Sequence, residues 1–498
     1  MFTSYNLFLI SFLYAVSGIA YFVIAVRGIL RRNEVRIFDL VRLMYSLVYG
    51  FIPFLLYLQE SYGHRNLYFY DYSRPGIGRI YLMWFLSIVA YGLMNLAYWS
   101  VKQKPVTAKS ETSLDEADVK HYGNKLILCG IIALVIGWIS LFVWTRAYGS
   151  LQYFISQAAR IRSGKGTVYN PFAFVKQFLS ILQLSLYSLF SGYLLERPKG
   201  FKRILYFALI ALSLIGNYLY FMASDSRITI IFIGLAALII GLRHRRKEKV
   251  SRYLVFAGIS CFVLLNVTML ADTFTNFIRY GVWSAPSGGF VGNLTKEFRF
   301  IVSSDMRAIK AWITGDLQIQ IGNDLISALT SWIPERFLPF EVPDTLWRYN
   351  TGLYSRQSTG TNPTSLVATS VYELGLIGTI IFPLMFGFFT AFIEKILRRN
   401  STVVYSDVYF GFFAGMFVKM VSHNQMSTFV VSLFPAFLFW LVTKAIDFGD
   451  RRKKRSVDEG SFDTDVMSEE SDKTHYSKVY NWGPDPEGYI PDDDDEEY

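Results

Sequence analysis

Apolar residues along this chain gather into long runs separated by short charged stretches. The runs are roughly 17–25 residues long, enough helix to cross about 30 Å of hydrocarbon. About eleven spans, within a range of ten to twelve, are read at 5–26, 38–58, 80–100, 124–145, 176–195, 204–223, 228–242, 253–271, 366–393, 404–421 and 425–446. The pattern predicts an all-α polytopic membrane protein. The first run has neither a basic leading segment nor a small-residue cleavage site, so it reads as a retained helix.

One connector stands apart. Residues 272–365, between the eighth and ninth spans, form a large external loop, far longer than a link requires; such loops usually carry function or fold as subdomains. Within it, NLTKEFRFIVSSDMRAIKAWITG (293–315) sets Leu294, Phe298, Ile301, Ile309 and Trp312 at near-helical spacing. A second short helix is expected after Asn323, as its N-cap, with a stop before Pro334. The segment predicts a folded cap. In SLQYFISQAARIR, Leu151, Phe154, Ile155 and Ala158 make an apolar stripe, with Gln152, Ser156 and Arg160 on another face. That pattern fits an interfacial amphipathic helix or one packed on the bundle.

Charge orients the spans. The basic stretches 27–36, 196–203, 243–249, 395–400 and 451–455 fall on alternate loops, and basic loops face the cytoplasm. The C-terminus is then cytoplasmic and the N-terminus external, with 59–79, 146–175, 224–227, 272–365 and 422–425 outside. The net charge of +10 conceals an asymmetry: residues 458–498 hold 15 acidic and 2 basic residues, leaving a strongly basic remainder. Residues 1–446 form the predicted transmembrane domain, and 447–498 an acidic disordered cytoplasmic tail, either solvated or used for docking. Basic charge so distributed marks cytoplasmic loops, and no nucleic-acid partner is expected.

Composition agrees with this reading: 52% of residues are hydrophobic, only 18% are charged, and mean hydropathy is +0.30. Cys129 and Cys261 both lie in apolar runs, and the five histidines are scattered, so no disulfide framework or metal site is expected. There is no G-x-x-x-x-G-K-[ST] phosphate loop, no G-x-S-x-G elbow and no inverted repeat with paired broken helices.

The candidate chemistry sits in outer loops. Arg227 ends an SDSR turn between two spans, Arg279 follows the eighth span, and Arg348 and Arg356 precede the ninth. Arginine there can bind phosphate bidentately, or simply snorkel or pair at the surface. Glu373 lies near the outer end of the ninth span, where a carboxylate is costly unless paired or functional. It fits an ion pair or a general base. Asn362 and Pro363 shape a turn back to the membrane. His423, between the last two spans, can hydrogen-bond a phosphate or sugar, or be an ordinary loop histidine.

In this order, GSLQYFISQAARIR in an outer loop, SDSR opening a span, and the long loop running through TNPTSL into YELGLIG resemble the bacterial Wzy-type O-antigen and capsular polysaccharide repeat-unit polymerases. The resemblance covers most of residues 1–446. It implies a GT-C-like bundle and a glycosyltransferase independent of metal and cofactor in the bacterial inner membrane, its active site facing outward. Such an enzyme moves a growing glycan from undecaprenyl diphosphate onto a new lipid-linked repeat unit. It further implies that Arg160, Arg162, Arg227, Arg279, Arg348 and Arg356 neutralise the departing diphosphate. Membrane lipid, a chain-length regulator and a flippase are the implied partners. Two alternatives stay open: an O-antigen ligase-type transferase, and a non-enzymatic polysaccharide exporter or flippase.

Overall fold

The computed structural model describes residues 4–62, 76–101, 116–156, 170, 172–224, 290–331, 333, 337–354, 362–399, 405–424 and 426–466, with scattered positions between 233 and 283. Among them the chain is helical, without a strand. It divides into two units, Met1–Lys444 and Ala445–Tyr498. In chain order the helices are α1 (Ser4–Arg32), α2 (Ile37–Ser61), α3 (Ile77–Ser100), α4 (Glu116–Arg146), α5 (Leu151–Ser156), α6 (Ile181–Glu196) and α7 (Phe201–Ser224). There follow α8 (Phe290–Thr314), α9 (Asn323–Thr330), α10 (Leu346–Tyr354), α11 (Leu366–Arg399), α12 (Ser406–Ser422) and α13 (Met426–Val466).

Eight of the described helices are long and apolar enough to span a membrane, α6 when joined to the 3-10 segment before it as Phe174–Glu196. They correspond to eight of the eleven expected spans. The expected spans 228–242 and 253–271 lie wholly or largely outside the described residues. The tenth is α12, a helix of 17 residues. Large apolar side chains such as Phe12 and Ile19 on α1, and Ile204 and Ile215 on α7, point outward. Water would penalise that exposure and hydrocarbon does not. The protein is a multi-pass membrane protein.

Close contacts between helices rest on small residues. A Cβ added at Gly50 of α2 would lie 2.3 Å from the Cα of Gly18 on α1, so the two backbones nearly touch. Beside that crossing, α2 changes hydrogen-bond register: Leu47–Phe51 forms a π-turn between two α-helical halves. Such turns insert one residue and recur at functional places.

The basic loops 27–36 and 395–400 meet at one end of the bundle. Arg32 pairs with Asp39 at 2.5 Å, Arg42 lies 3.6 Å from Asp39, and Arg398 contacts both Glu34 and Glu394. The Tyr98 hydroxyl donates to Glu394 at 2.9 Å. Asp39 and Glu394 are both buried, which is tolerable because each faces more than one cation or donor. We refer to this as the basic end. Since α11 reaches it at Arg398, its start at Leu366 lies at the opposite end.

Residues of the expected outer cap are built into the bundle. α8 is amphipathic and packs on α2, α3 and α11, burying Phe298, Ile301, Asp305 and Ile309, while Trp312 is partly exposed. α9 forms as expected, but Gly322, in the left-handed region at φ 70°, takes the N-cap position in place of Asn323. Only 151–156 of the expected amphipathic segment is described as helix; there Phe154 is buried against Trp144 and Tyr148. α13 continues to Val466, and 467–498 lie outside the described residues.

Candidate functional site

The sequence YELGLIG breaks α11 in two. Leu374 (φ −136°, ψ 18°) and Gly375 (φ 63°, ψ −151°) leave helical geometry, although the helix carries a proline further on, at Pro383. The Gly375 conformation is accessible essentially only to glycine. Gly378 completes the break: a Cβ there would lie 1.8 Å from the Ser370 carbonyl oxygen. Beyond it, residues 376–398 alone give about 35 Å of helix, enough to cross the bilayer. The short arm, 366–373, is therefore free to do something other than span.

The arm is braced from outside the spans. The Tyr372 carbonyl accepts the Gln320 N–H at 2.9 Å, and Glu373 Oε2 accepts the Gly322 N–H at 2.7 Å. Backbone groups released by the break thus find partners in the 315–323 connector, as burial demands. Glu373 is buried in this role.

At the start of the arm, Ser365 acts as an N-cap, its Oγ accepting the Ala368 N–H at 3.1 Å. The same hydroxyl donates to Asp305 Oδ1. Asp305 is fully buried, and its Oδ2 has no hydrogen-bond partner among the described residues. Around it stand Tyr14, Tyr49, Tyr57 and Tyr372, contributed by α1, α2 and α11. Burial pushes the Asp305 carboxyl up to about 8, outweighing the hydrogen bonds from Ser365 and Ala368 that favour its charged form. It is mostly protonated at neutral pH.

Two residues further along α8, Arg307 donates through Nη2 to Ser303 Oγ at 2.7 Å and through Nη1 to the Asn350 carbonyl at 3.3 Å. Asn350 is a hub. Its Oδ1 accepts from the Tyr372 hydroxyl at 2.8 Å, and its Nδ2 donates to the Asn362 carbonyl at 2.8 Å. The loop after α12 closes the same region: Asn424 N donates to the Thr364 carbonyl at 2.8 Å, while the Thr364 and Thr369 hydroxyls donate to the Asn424 carbonyl. His423 is buried, its ring 2.9 Å from Ser422 Oγ and edge-on to Phe300 at 4.8 Å.

Of the expected site residues, Asn362 bonds to Asn350, His423 directly precedes the Asn424 clasp on Thr364, and Glu373 is held by Gly322 at the far end of the short arm. Arg348 lies on the exposed side of α10, 3.4 Å from Asp344. Arg160, Arg162, Arg227, Arg279 and Arg356 lie outside the described residues. Sequence reasoning missed Asp305, Arg307 and Asn350 as a group. The available signal was Asp305 itself, one helical turn from Ile301 and from Ile309 on a stripe that otherwise reads as core.

Among the described residues no cluster of three or more metal-ligating side chains occurs. What the arrangement offers is a buried, mostly protonated carboxyl, a buried guanidinium and several hydroxyl and amide groups. Asp305, Arg307 and Ser303 are held by α8, a helix that is not itself a candidate span. Fold and site together define a polytopic helical membrane protein with a buried polar cluster. No family model, curated protein or solved structure matches the chain.

Proposed function

We propose that the protein polymerises lipid-diphosphate-linked oligosaccharide repeat units at the outer face of the bacterial inner membrane, as a glycosyltransferase that needs no metal or cofactor. The observation that carries this reading is the placement of Asp305, Arg307 and Asn350. Asp305 and Arg307 stand on α8, an amphipathic helix outside the candidate spans that packs among them at the end opposite the basic loops, and Arg307 meets Asn350 of α10. In a membrane, a lipid-linked glycan carries its headgroup at the surface of the bilayer. In the proposed reaction an acceptor sugar hydroxyl attacks the anomeric carbon of the donor glycan, and the bond from that carbon to the diphosphate oxygen breaks. The hydroxyl proton passes to a carboxylate, for which Glu373 is the candidate, and the lipid diphosphate leaves with its charge met by arginine. Arg348 is the described candidate for that role, alongside Arg279 and Arg356.

The test is an assay of purified protein in detergent with lipid-diphosphate-linked repeat units, products being separated by size. A ladder spaced by one repeat supports the proposal. Single attachments to a different acceptor mean a ligase-type transferase. A second reading, a polysaccharide exporter or flippase, draws on the break in α11, because interrupted spans with buried ionisable neighbours are a recurring feature of transporters. Movement of lipid-linked glycan across vesicles without a change in length would establish it.

A further inference from the structure

α9 is built inside out. In the sequence NDLISALT it buries Asp324, Ala328 and Thr330, and exposes Leu325, Ile326 and Leu329. The Asp324 carboxylate faces inward, 3.4 Å from the Leu346 N–H. A helix on a water-facing cap would place these side chains the other way round. The inversion extends beyond α9. Ile319 and Ile321 before it, and Ile333, Phe337 and Phe340 after it, are all exposed; Ile321 is 64% and Phe337 65% accessible.

This apolar surface joins the outward face of a membrane span. Trp312 packs at the break in α11, with its ring nitrogen 3.3 Å from where a Cβ on Gly375 would lie. Just past the break, Ile377, Ile380 and Ile381 of α11 are exposed. Hydrocarbon-facing side chains of α11 thus run, through Trp312, into the exposed residues of 312–340. An indole at such a boundary is typical of the membrane interface, where its ring is in acyl chain and its N–H is near polar groups.

We propose that residues 312–340 are seated in the bilayer interface at the end opposite the basic loops, with lipid acyl chains as the partner of their exposed face. The inference is independent of the reaction proposed above. It gives the 315–323 connector two faces: one holds the short arm of α11 through Gln320 and Gly322, and the other rests on lipid. The geometry of the α11 break is then set partly by the membrane.

Spin labels at Ile321→Cys, Leu329→Cys and Phe337→Cys, in a Cys261→Ser background that keeps the buried Cys129, test this in the full chain reconstituted into lipid nanodiscs. Collision with dissolved oxygen is compared with collision with a water-soluble nickel chelate. Ile139→Cys, exposed on α4, serves as the lipid reference, and Arg348→Cys as the water reference. The expected result is an oxygen-to-nickel ratio at all three sites several-fold above that at Arg348 and on the side of Ile139. A ratio matching Arg348 overturns the proposal, and so does exclusion of both reagents, which would mean a protein partner such as a second copy. Where labelling disturbs folding, a diazirine lipid photo-crosslinked to the wild-type chain decides. Adducts within 316–333 support the proposal; adducts along 377–396 without any in 316–333 overturn it.

Discussion

Glu373 accepts the Gly322 backbone N–H at 2.7 Å, joining the broken end of a span to a connector 51 residues earlier in the chain. The bond uses the carboxylate as an acceptor, a task a neutral amide oxygen also performs. Glu373→Gln is therefore expected to fold with near wild-type thermal stability, whereas Glu373→Ala leaves the half-buried Gly322 N–H without its acceptor, at about 1 kcal/mol. If Glu373 also takes the sugar proton, Glu373→Gln abolishes polymer ladders while its melting temperature stays unchanged. Ladders of full intensity from that variant would remove Glu373 from the chemistry and leave it a brace.

The break itself depends on one residue. Gly375→Ala forces a side chain into a conformation that costs on the order of 1–3 kcal/mol, and the added methyl also meets Trp312. We expect a clear drop in melting temperature in detergent. Gly92→Ala serves as the control: its added methyl would enter open space in the middle of α3, and the variant should match or slightly exceed wild type.

Asp305 makes stability depend on pH. Its carboxyl is raised to about 8 in the folded protein, far above the ordinary carboxylate range of the unfolded chain. Between about pH 4 and 8 the folded state holds a proton that the unfolded state has released. Its contribution to stability is therefore fully present at low pH, declines as pH rises through this window, and levels off above about 8. The slope is at most on the order of 1.4 kcal/mol per pH unit. Asp305→Asn keeps an acceptor for Ser365 and removes the titration. Melting temperatures measured from pH 5 to 8 should fall more steeply for wild type than for this variant; parallel curves would show that Asp305 does not carry the effect.

Arg348 and Arg307 separate function from folding. Arg348 is exposed and among the described residues pairs with the exposed Asp344, so Arg348→Ala should change stability by no more than about 0.5 kcal/mol. Loss of ladders in that variant would then report a lost contact to substrate. Arg307→Ala strips donors from the buried Asn350 carbonyl and Ser303 and should cost about 1–3 kcal/mol, read as a lower melting temperature whatever the substrate.

Eight of the expected spans were legible because twenty or so apolar residues in a row have few alternatives to crossing lipid. The α8 helix was legible from the spacing of Phe298, Ile301 and Ile309. Its depth was not, since a stripe of that kind buries equally well on a surface cap or inside a bundle. Glu373 was visible as a carboxylate in an apolar run. The break beside it was not, because Gly-Leu-Ile-Gly continues the apolar pattern and the conformation of Gly375 is held by Gln320 and Gly322 from elsewhere in the chain. Similarly, Asn350 is one asparagine among many until the fold sets Arg307, Tyr372 and Asn362 around it.

The π-turn at Leu47–Phe51 makes α2 sensitive to length as well as to composition. A helix turns by roughly 100° for every residue, so deleting one residue within the turn would restore regular winding and swing everything after it by that angle. Tyr57 would leave its stack on Tyr14, whose ring centroid is now 5.7 Å away, while Tyr45, before the turn, would keep its bond to the Ser87 carbonyl. The two halves of α2 are in this sense separately indexed. Any protein descended from the same ancestor must carry the extra residue or realign the half of the helix that faces Asp305.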